Sequence, residues 1–195
     1  MYAYLRGVFS QKTPTSVVVE VHGIGFELQV SLNTYSKIQS LEQGLLYTHL
    51  IVREDAHVLY GFFDLAEKEI FLHLLSVSGV GASTARVMLS SLQPSEVIRA
   101  IQSANESVLE SVKGIGKKTA QRIVLELRDK LSKSSVENAA FSASGYNSLE
   151  QDALNAMSAL GIARSAAESA IRKALAKGDS LLQVEDLIKA ALKCL

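Results

Sequence analysis

From Val17 to Val30 apolar side chains fall at every second position. Val17, Val19 and Val21 alternate with Val18, Glu20 and His22, and after Gly23-Ile24-Gly25 the series resumes as Phe26, Leu28 and Val30 against Glu27 and Gln29. Period two is the mark of a half-buried strand, and a glycine-containing break between two such runs predicts a hairpin. Leu46 to Val52 and His57 to Phe62 form a second pair around Arg53-Glu54-Asp55-Ala56, and Met1 to Phe9 supplies a first strand. Five strands in residues 1–63 predict a small closed barrel of the OB type, with an SH3-like barrel as the alternative. The short polar stretch Ser31 to Ser40 between strands three and four favours the OB arrangement.

At Asp64 the period changes. Asp64-Leu65-Ala66-Glu67 has the form of a capping box, and the helix it opens places Ile70, Phe71, Leu74 and Leu75 on one side. A duplication follows. SVSGVGASTARVMLSSL, with Gly79 and Gly81, matches SVKGIGKKTAQRIVLEL, with Gly114 and Gly116, at an offset of 35 residues. Ser76 matches Ser111, Val77 matches Val112, Val80 matches Ile115, and Thr84 and Ala85 match Thr119 and Ala120. Each copy runs into an apolar helix face, first Ala85, Met88, Leu89 and Leu92, then Ala120, Ile123, Val124 and Leu127. Between them Pro94 opens a helix bearing Val97, Ile98 and Ile101, and a shorter one carries Val108, Leu109 and Val112. Residues 64–131 therefore predict a tandem helix-hairpin-helix domain.

Residues 132–147 contain five serines in sixteen positions and no apolar period, the composition of a flexible tether. Beyond it, Ser148 with Gln151, Ser165 with Glu168 and Ser180 with Gln183 have capping-box spacing. They head the faces Ala153, Met157, Leu160; Ala170, Ile171, Ala174; and Leu187, Ile188, Ala191, with Gly161 and Gly178 where C-caps belong. Residues 148–195 thus predict a small three-helix bundle, whose slight core suits a partner-binding module.

The chemistry of the repeat lies in its glycines. Gly-x-Gly at a helix start lets another backbone approach and leaves main-chain N–H groups facing outward, a nest for an anion. Lys113, Lys117, Lys118 and Arg122 lie in or just after the second hairpin, and from Lys113 to Lys130 six basic residues face two acidic ones. Such a site suits a phosphodiester backbone, read without regard to base sequence and sensitive to salt. Gly116-Lys117 is not a nucleotide P-loop, which needs Gly where Ser111 stands and Ser or Thr where Lys118 stands. A single Gly-x-Gly would be read as a tight helix-helix turn with solvated lysines; two copies in the same apolar-Gly-apolar-Gly order favour paired phosphate binding.

Formal net charge is +0 over 195 residues of 48% hydrophobic content, so nucleic acid is not coated through bulk charge and contact depends on placed patches, multiplied by oligomerisation. No apolar run approaches the roughly 20 residues of a membrane span, and the amino-terminal residues lack the plan of a signal peptide, so a cytoplasmic location is expected. Cys194 falls on the apolar phase of the last helix as core filler. His22, His49, His57 and His73 are scattered without ligand spacing, so neither a catalytic constellation, a metal site nor a cofactor is expected. Glu54 and Asp55 stand out: adjacent acids at a hairpin tip, in a chain whose other features attract phosphate.

Taken together, Arg53-Glu54-Asp55-Ala56 with Leu59-Tyr60-Gly61-Phe62, the turns Gly79-Val80-Gly81 and Gly114-Ile115-Gly116-Lys117-Lys118-Thr119-Ala120, a tether, and a terminal bundle with Leu160-Gly161-Ile162 closely resemble the RuvA family over essentially the whole chain. The resemblance implies a protein without a catalytic site of its own. It would hold four-way (Holliday) junction DNA open as a homotetramer or paired tetramers, and recruit the hexameric RuvB ATPase through its third domain, with Leu160, Gly161 and Ile162 as the docking face. RuvC resolvase is a further candidate partner. It implies DNA contacts from Gly79, Val80, Gly81, Gly114, Ile115, Gly116, Lys117, Lys118 and Arg122, and an acidic pin of Glu54 and Asp55. The first hairpin carries Ala82-Ser83 where the family commonly has Pro-Lys. From a different class, a non-catalytic subunit that presents DNA to a nuclease or repair enzyme is the alternative.

Overall fold

The computed structural model describes residues 2–140, 147–176 and 183–195. Strands β1 (Tyr4–Lys12), β2 (Ser16–Val21), β3 (Ile24–Val30), β4 (Gln43–Val52) and β5 (His57–Phe62) close in the order β1-β2-β3-β5-β4. Every pair is antiparallel except β3 with β5. This is the OB order and removes the SH3-like alternative. The predicted inward positions Val17, Val19, Leu28 and Val30 are buried with Leu5, Phe9, Leu46 and Leu59. The first hairpin turns at His22-Gly23, with φ of 49° and 81°, and Val21 already pairs with Ile24. Ile24 is therefore a strand residue and not part of the turn: two consecutive positive-φ residues match the twist of the flanking strands.

The polar stretch after β3 is a helix, α1 (Leu32–Ile38). Ser31 caps it, its hydroxyl accepting from the Thr34 N–H at 3.0 Å. Ile38 is fully buried in the barrel core, while Asn33 and Thr34 are buried on the side that meets the helical domain. A helix with one apolar anchor and a buried polar face has no clear 3.6 period, so the pattern concealed it.

Five helices follow: α2 (Leu65–Leu75), α3 (Ala82–Ser91), α4 (Pro94–Gln102), α5 (Glu106–Glu110) and α6 (Lys117–Ala140). Phe71 on α2 joins them to the barrel. Its ring centroid lies 5.0 Å from that of Tyr60 and 4.9 Å from that of Phe62 on β5, and one continuous core runs from these rings through Met88, Leu89, Ile101 and Leu109 to Ile123 and Leu127. Barrel and hairpins form one compact unit, residues 1–133, so the change at Asp64 is one of secondary structure and not of packing.

The second unit, residues 134–195, contains α7 (Asn147–Ala159), α8 (Arg164–Ala176) and α9 (Val184–Leu192) around Ala153, Leu154, Met157, Ala167, Ala170, Ile171, Ala174, Leu187 and Ala191. Helix α6 runs to Ala140, into the stretch read as a tether; residues 141–146 lie outside the described residues, as do Ser180 and Gly178. The caps differ from the expectation. Ser165 lies inside α8, where Glu168 pairs with Arg164 at 3.1 Å, and Gln183 occupies the N-cap of α9 without a side-chain hydrogen bond to it. Gly161 does end α7, with φ of 85°, and the Ile162 N–H donates to the Met157 carbonyl at 3.1 Å in a Schellman closure. Leu160 is consequently exposed and not part of the core face: the helix has ended before it can turn inward.

The capping box at Asp64 is also replaced. Asp64 occupies the N-cap without a side-chain hydrogen bond to the helix and instead pairs with Lys37, while Glu67 is fully buried and turned toward α1. Its carboxylate accepts from the Ser31 hydroxyl and from the Thr34 hydroxyl, the latter at 2.8 Å. Burial pushes the Glu67 carboxyl above its ordinary value, against the two hydroxyl donors and the nearby Lys37, which favour the charged form. Glu67→Gln should therefore gain on the wild type as pH rises. Below the ordinary value of 4.5 the carboxyl is protonated in both folded and unfolded chains. Above it the unfolded chain ionises first and wild-type stability falls, by up to about 1.4 kcal/mol per pH unit, until the raised folded value is passed. Chemical denaturation of both proteins from pH 4 to 8 measures the gap, and parallel profiles would refute the assignment.

Candidate nucleic-acid interface

Both hairpins are built by one backbone scheme. The Val80 N–H donates to the Val77 carbonyl at 3.1 Å and the Ile115 N–H to the Val112 carbonyl at 3.0 Å, each closing a turn around a glycine of positive φ, 89° at Gly79 and 93° at Gly114. Val80 and Ile115 are buried, so their side chains anchor the turns from within and offer a ligand only their backbone. Helices α3 and α6 then start with Ala85 N–H to Gly81 at 2.9 Å and Ala120 N–H to Gly116 at 3.0 Å. The N–H groups of Ala82 and Ser83, and of Lys117 and Lys118, precede any intrahelical acceptor and lie on exposed or half-exposed residues.

The second glycine of each turn is the more telling one. Gly81 has φ of −87°, open to any residue, and a Cβ built at Gly81 or Gly116 meets no atom of the chain within 4 Å. Neither turn conformation nor internal packing demands glycine there. The missing side chain leaves room outside the chain for another surface to reach the exposed amides.

Charge divides the two hairpins. Lys113, Lys117 and Lys118 are exposed around the second, and the matching positions of the first are Ser78, Ala82 and Ser83. Arg122, expected to join the lysines, also reaches the first hairpin. Its guanidinium donates to the Ser78 carbonyl of the first hairpin at 3.2 Å and lies 3.7 Å from Glu126. Further along α6, Lys130 donates to the Ser76 hydroxyl at 3.1 Å. These ties between hairpins are invisible in sequence because their acceptors are backbone or serine, 44 and 54 residues away.

The acidic tip projects from the barrel. Strand β5 pairs with β3 only from Leu59 to Gly61, so the rungs Ile51–Val58 and Val52–His57 extend β4 and β5 as a two-stranded ribbon. The Arg53 N–H donates to the Ala56 carbonyl at 2.9 Å and closes the loop that presents Glu54 and Asp55, both exposed. Arg53, which precedes the two acids in the loop, lies 3.5 Å from Asp55. The tip therefore carries a net charge of about −1, not the −2 of its acids alone; an exposed pair of this kind is worth at most about 1 kcal/mol.

In the second unit, Leu160 and Gly161 are exposed and Ile162 packs partly against the bundle core, so of the three expected docking residues Leu160 offers the apolar surface. Among the described residues no three His, Cys, Asp or Glu side chains gather as a metal site, and no helix is long and apolar enough to cross a membrane.

Comparison with known proteins agrees with this layout. Residues 1–61 match the family model of the RuvA N terminal domain, and residues 71–129 match that of the SAM-like helix-hairpin-helix tandem. The chain is 46% identical to the Holliday junction branch migration complex subunit RuvA of Cytophaga hutchinsonii and 49% identical to that of Christiangramia forsetii, with 99% of each chain covered in both cases. The protein of the same name from Bacteroides thetaiotaomicron is 41% identical, again over 99% of both chains. With relatives this similar from end to end, and with barrel and tandem hairpins each matched in place, the chain belongs to the RuvA family.

Proposed function

We propose that this chain binds four-way junction DNA by its shape and recruits a RuvB ATPase motor for branch migration in recombination and repair, in the cytoplasm and without a catalytic site of its own. The observation that carries the reading is the pair Gly81 and Gly116. Their missing side chains serve nothing within the chain and admit a phosphate backbone to the amides of α3 and α6. Lys117 and Lys118 add cations at the second nest, with Gly79, Val80, Gly114 and Ile115 fixing the turns. The relatives' name, a branch migration complex subunit, supports the junction as the substrate. A homotetramer would set four such hairpin pairs around the crossover, alone or as paired tetramers, with RuvC resolvase a further candidate partner. The alternative, a subunit presenting DNA to a nuclease, needs an active centre that only a partner could bring.

Lys117→Ala with Lys118→Ala should weaken binding to all duplex arms and flatten the log-log salt dependence by about 0.9 per lost phosphate contact per subunit. Fluorescence anisotropy at several salt concentrations measures this, and an unchanged slope would reduce the lysines to a solvated face.

At the tip, Glu54→Gln with Asp55→Asn should raise affinity for DNA while narrowing the preference for junction over duplex, because repulsion at the centre discourages an uninterrupted duplex. Arg53→Gln should act oppositely, taking the tip from about −1 to −2. The readout is the ratio of duplex to junction Kd at one fixed salt. A ratio indifferent to all three charges, in folded proteins of equal assembly state, would leave junction preference to the hairpins alone.

Deletion of residues 148–195 should spare junction binding and abolish stimulation of the motor, since the bundle belongs to a separate compact unit. Loss of DNA binding by a folded truncated protein would contradict this division.

A further inference from the structure

Four cations cluster by sequence around the second hairpin, but their surroundings differ. Lys113, Lys117 and Lys118 are exposed on the turn or the first residues of α6. Arg122 lies one turn further and reaches back across the domain, one guanidinium nitrogen on the Ser78 carbonyl at 3.2 Å and its Nε 3.7 Å from Glu126. Ser78 immediately precedes Gly79, the positive-φ residue that shapes the first nest. We infer that Arg122 is a positioning residue, a strut that fixes the first phosphate nest relative to the second, and not a phosphate ligand itself. The inference rests on the phosphate-nest reading above.

The chemistry is well matched to that task. A guanidinium is a planar fork that can donate to a carbonyl in a fixed direction while keeping a carboxylate near its other edge, which an ammonium cannot do. The Ser78 carbonyl lies at the turn between α2 and α3 and gains a charged donor, while Glu126, one helical turn along α6, forms an i,i+4 ion pair with the same guanidinium. The duplication makes the arrangement one-sided. At the 35-residue offset Arg122 corresponds to Val87, whose side chain cannot donate to the second turn. The second nest brings its own lysines, whereas the first has uncharged residues at the matching positions and depends on being held where the second hairpin leads the same duplex. Lys130 on the Ser76 hydroxyl lies on the same seam.

A strut and a ligand predict different salt behaviour. Removing a strut misplaces a nest without removing a counterion-releasing contact; removing a ligand does both. The full chain is assayed against a four-way junction over a salt series as wild type, Arg122→Ala, Ser83→Lys, the two combined, and the Lys117→Ala, Lys118→Ala protein. Arg122→Ala should weaken binding roughly three- to tenfold, the size of one hydrogen bond discounted for its exposure to solvent, with the slope unchanged. Ser83→Lys places a cation on the first nest. It should steepen the slope by about 0.9 per subunit when Arg122 is present and by much less when it is absent, a coupling that a general loss of stability would not produce. A slope flattened by about 0.9 per subunit in Arg122→Ala would make Arg122 a phosphate ligand and overturn the inference. So would a Ser83→Lys increment, zero included, that is the same in both backgrounds. Failure of the nest reading itself would appear separately, as junction affinity unchanged when Gly81→Ala and Gly116→Ala fill the space before the amides with Arg122 intact.

Discussion

The arrangement depends on the burial of Phe71. A single ring on α2 fills the space between Tyr60 and Phe62 on the outside of β5 and the inner faces of the hairpin helices, so the outer face of the barrel and the hairpins share one core beside the barrel's own. Truncation of a Phe buried this completely costs about 3–5 kcal/mol in comparable cores. The functional consequence is geometric. The β4–β5 ribbon with its acids and the two glycine turns belong to one body, and their separation is set by packing rather than by a linker. Polar contacts secure the same seam: Asn33 of α1 donates to the Leu92 carbonyl at 3.0 Å, and Arg86 of α3 donates to the Thr15 carbonyl of the barrel at 3.2 Å.

Within that body the two copies of the hairpin have diverged in charge while keeping their backbone. The turns share hydrogen bonds, glycine conformation and a buried apolar plug, but the first has no lysines of its own where the second has three, and the cations that reach it, Arg122 and Lys130, come from α6. Backbone amides bind phosphate without any side chain, so on the proposed reading an uncharged copy serves provided that it is held in the right place. Accuracy of placement can substitute for charge, which is how the proposed nests would let a chain of formal net charge +0 bind a polyanion.

Much of this was legible in sequence because it is written in short periods. Alternation along Val17 to Val30 gave the strands, and the 35-residue repeat gave both hairpins and their glycines. What escaped detection depends on contacts between distant segments. Asp64 and Glu67 have the spacing of a capping box, but a hydroxyl pair from α1 offers Glu67 a better-protected partner than its own helix end. Arg122 belongs by position to a basic cluster and by contact to a carbonyl 44 residues away. Leu160 falls on the apolar phase of α7 but beyond its last turn. Local pattern specifies which element forms; the partner of a long polar side chain is chosen by the fold.

The barrel's closure also bears on how the chain acquires its structure. Its closing pairs are distant in sequence: Leu5 with Leu46 between β1 and β4, and Leu28 with Leu59 between β3 and β5. The hairpin helices are joined by short local turns. Contacts between distant residues must overcome a larger loop-closure entropy before they contribute, which puts barrel closure on the slow side of folding and helix formation on the fast side. Chain order offsets the disparity. All five strands lie before Asp64, so during synthesis the slow element emerges first, and its Tyr60–Phe62 surface is in place to receive Phe71 when the helices follow.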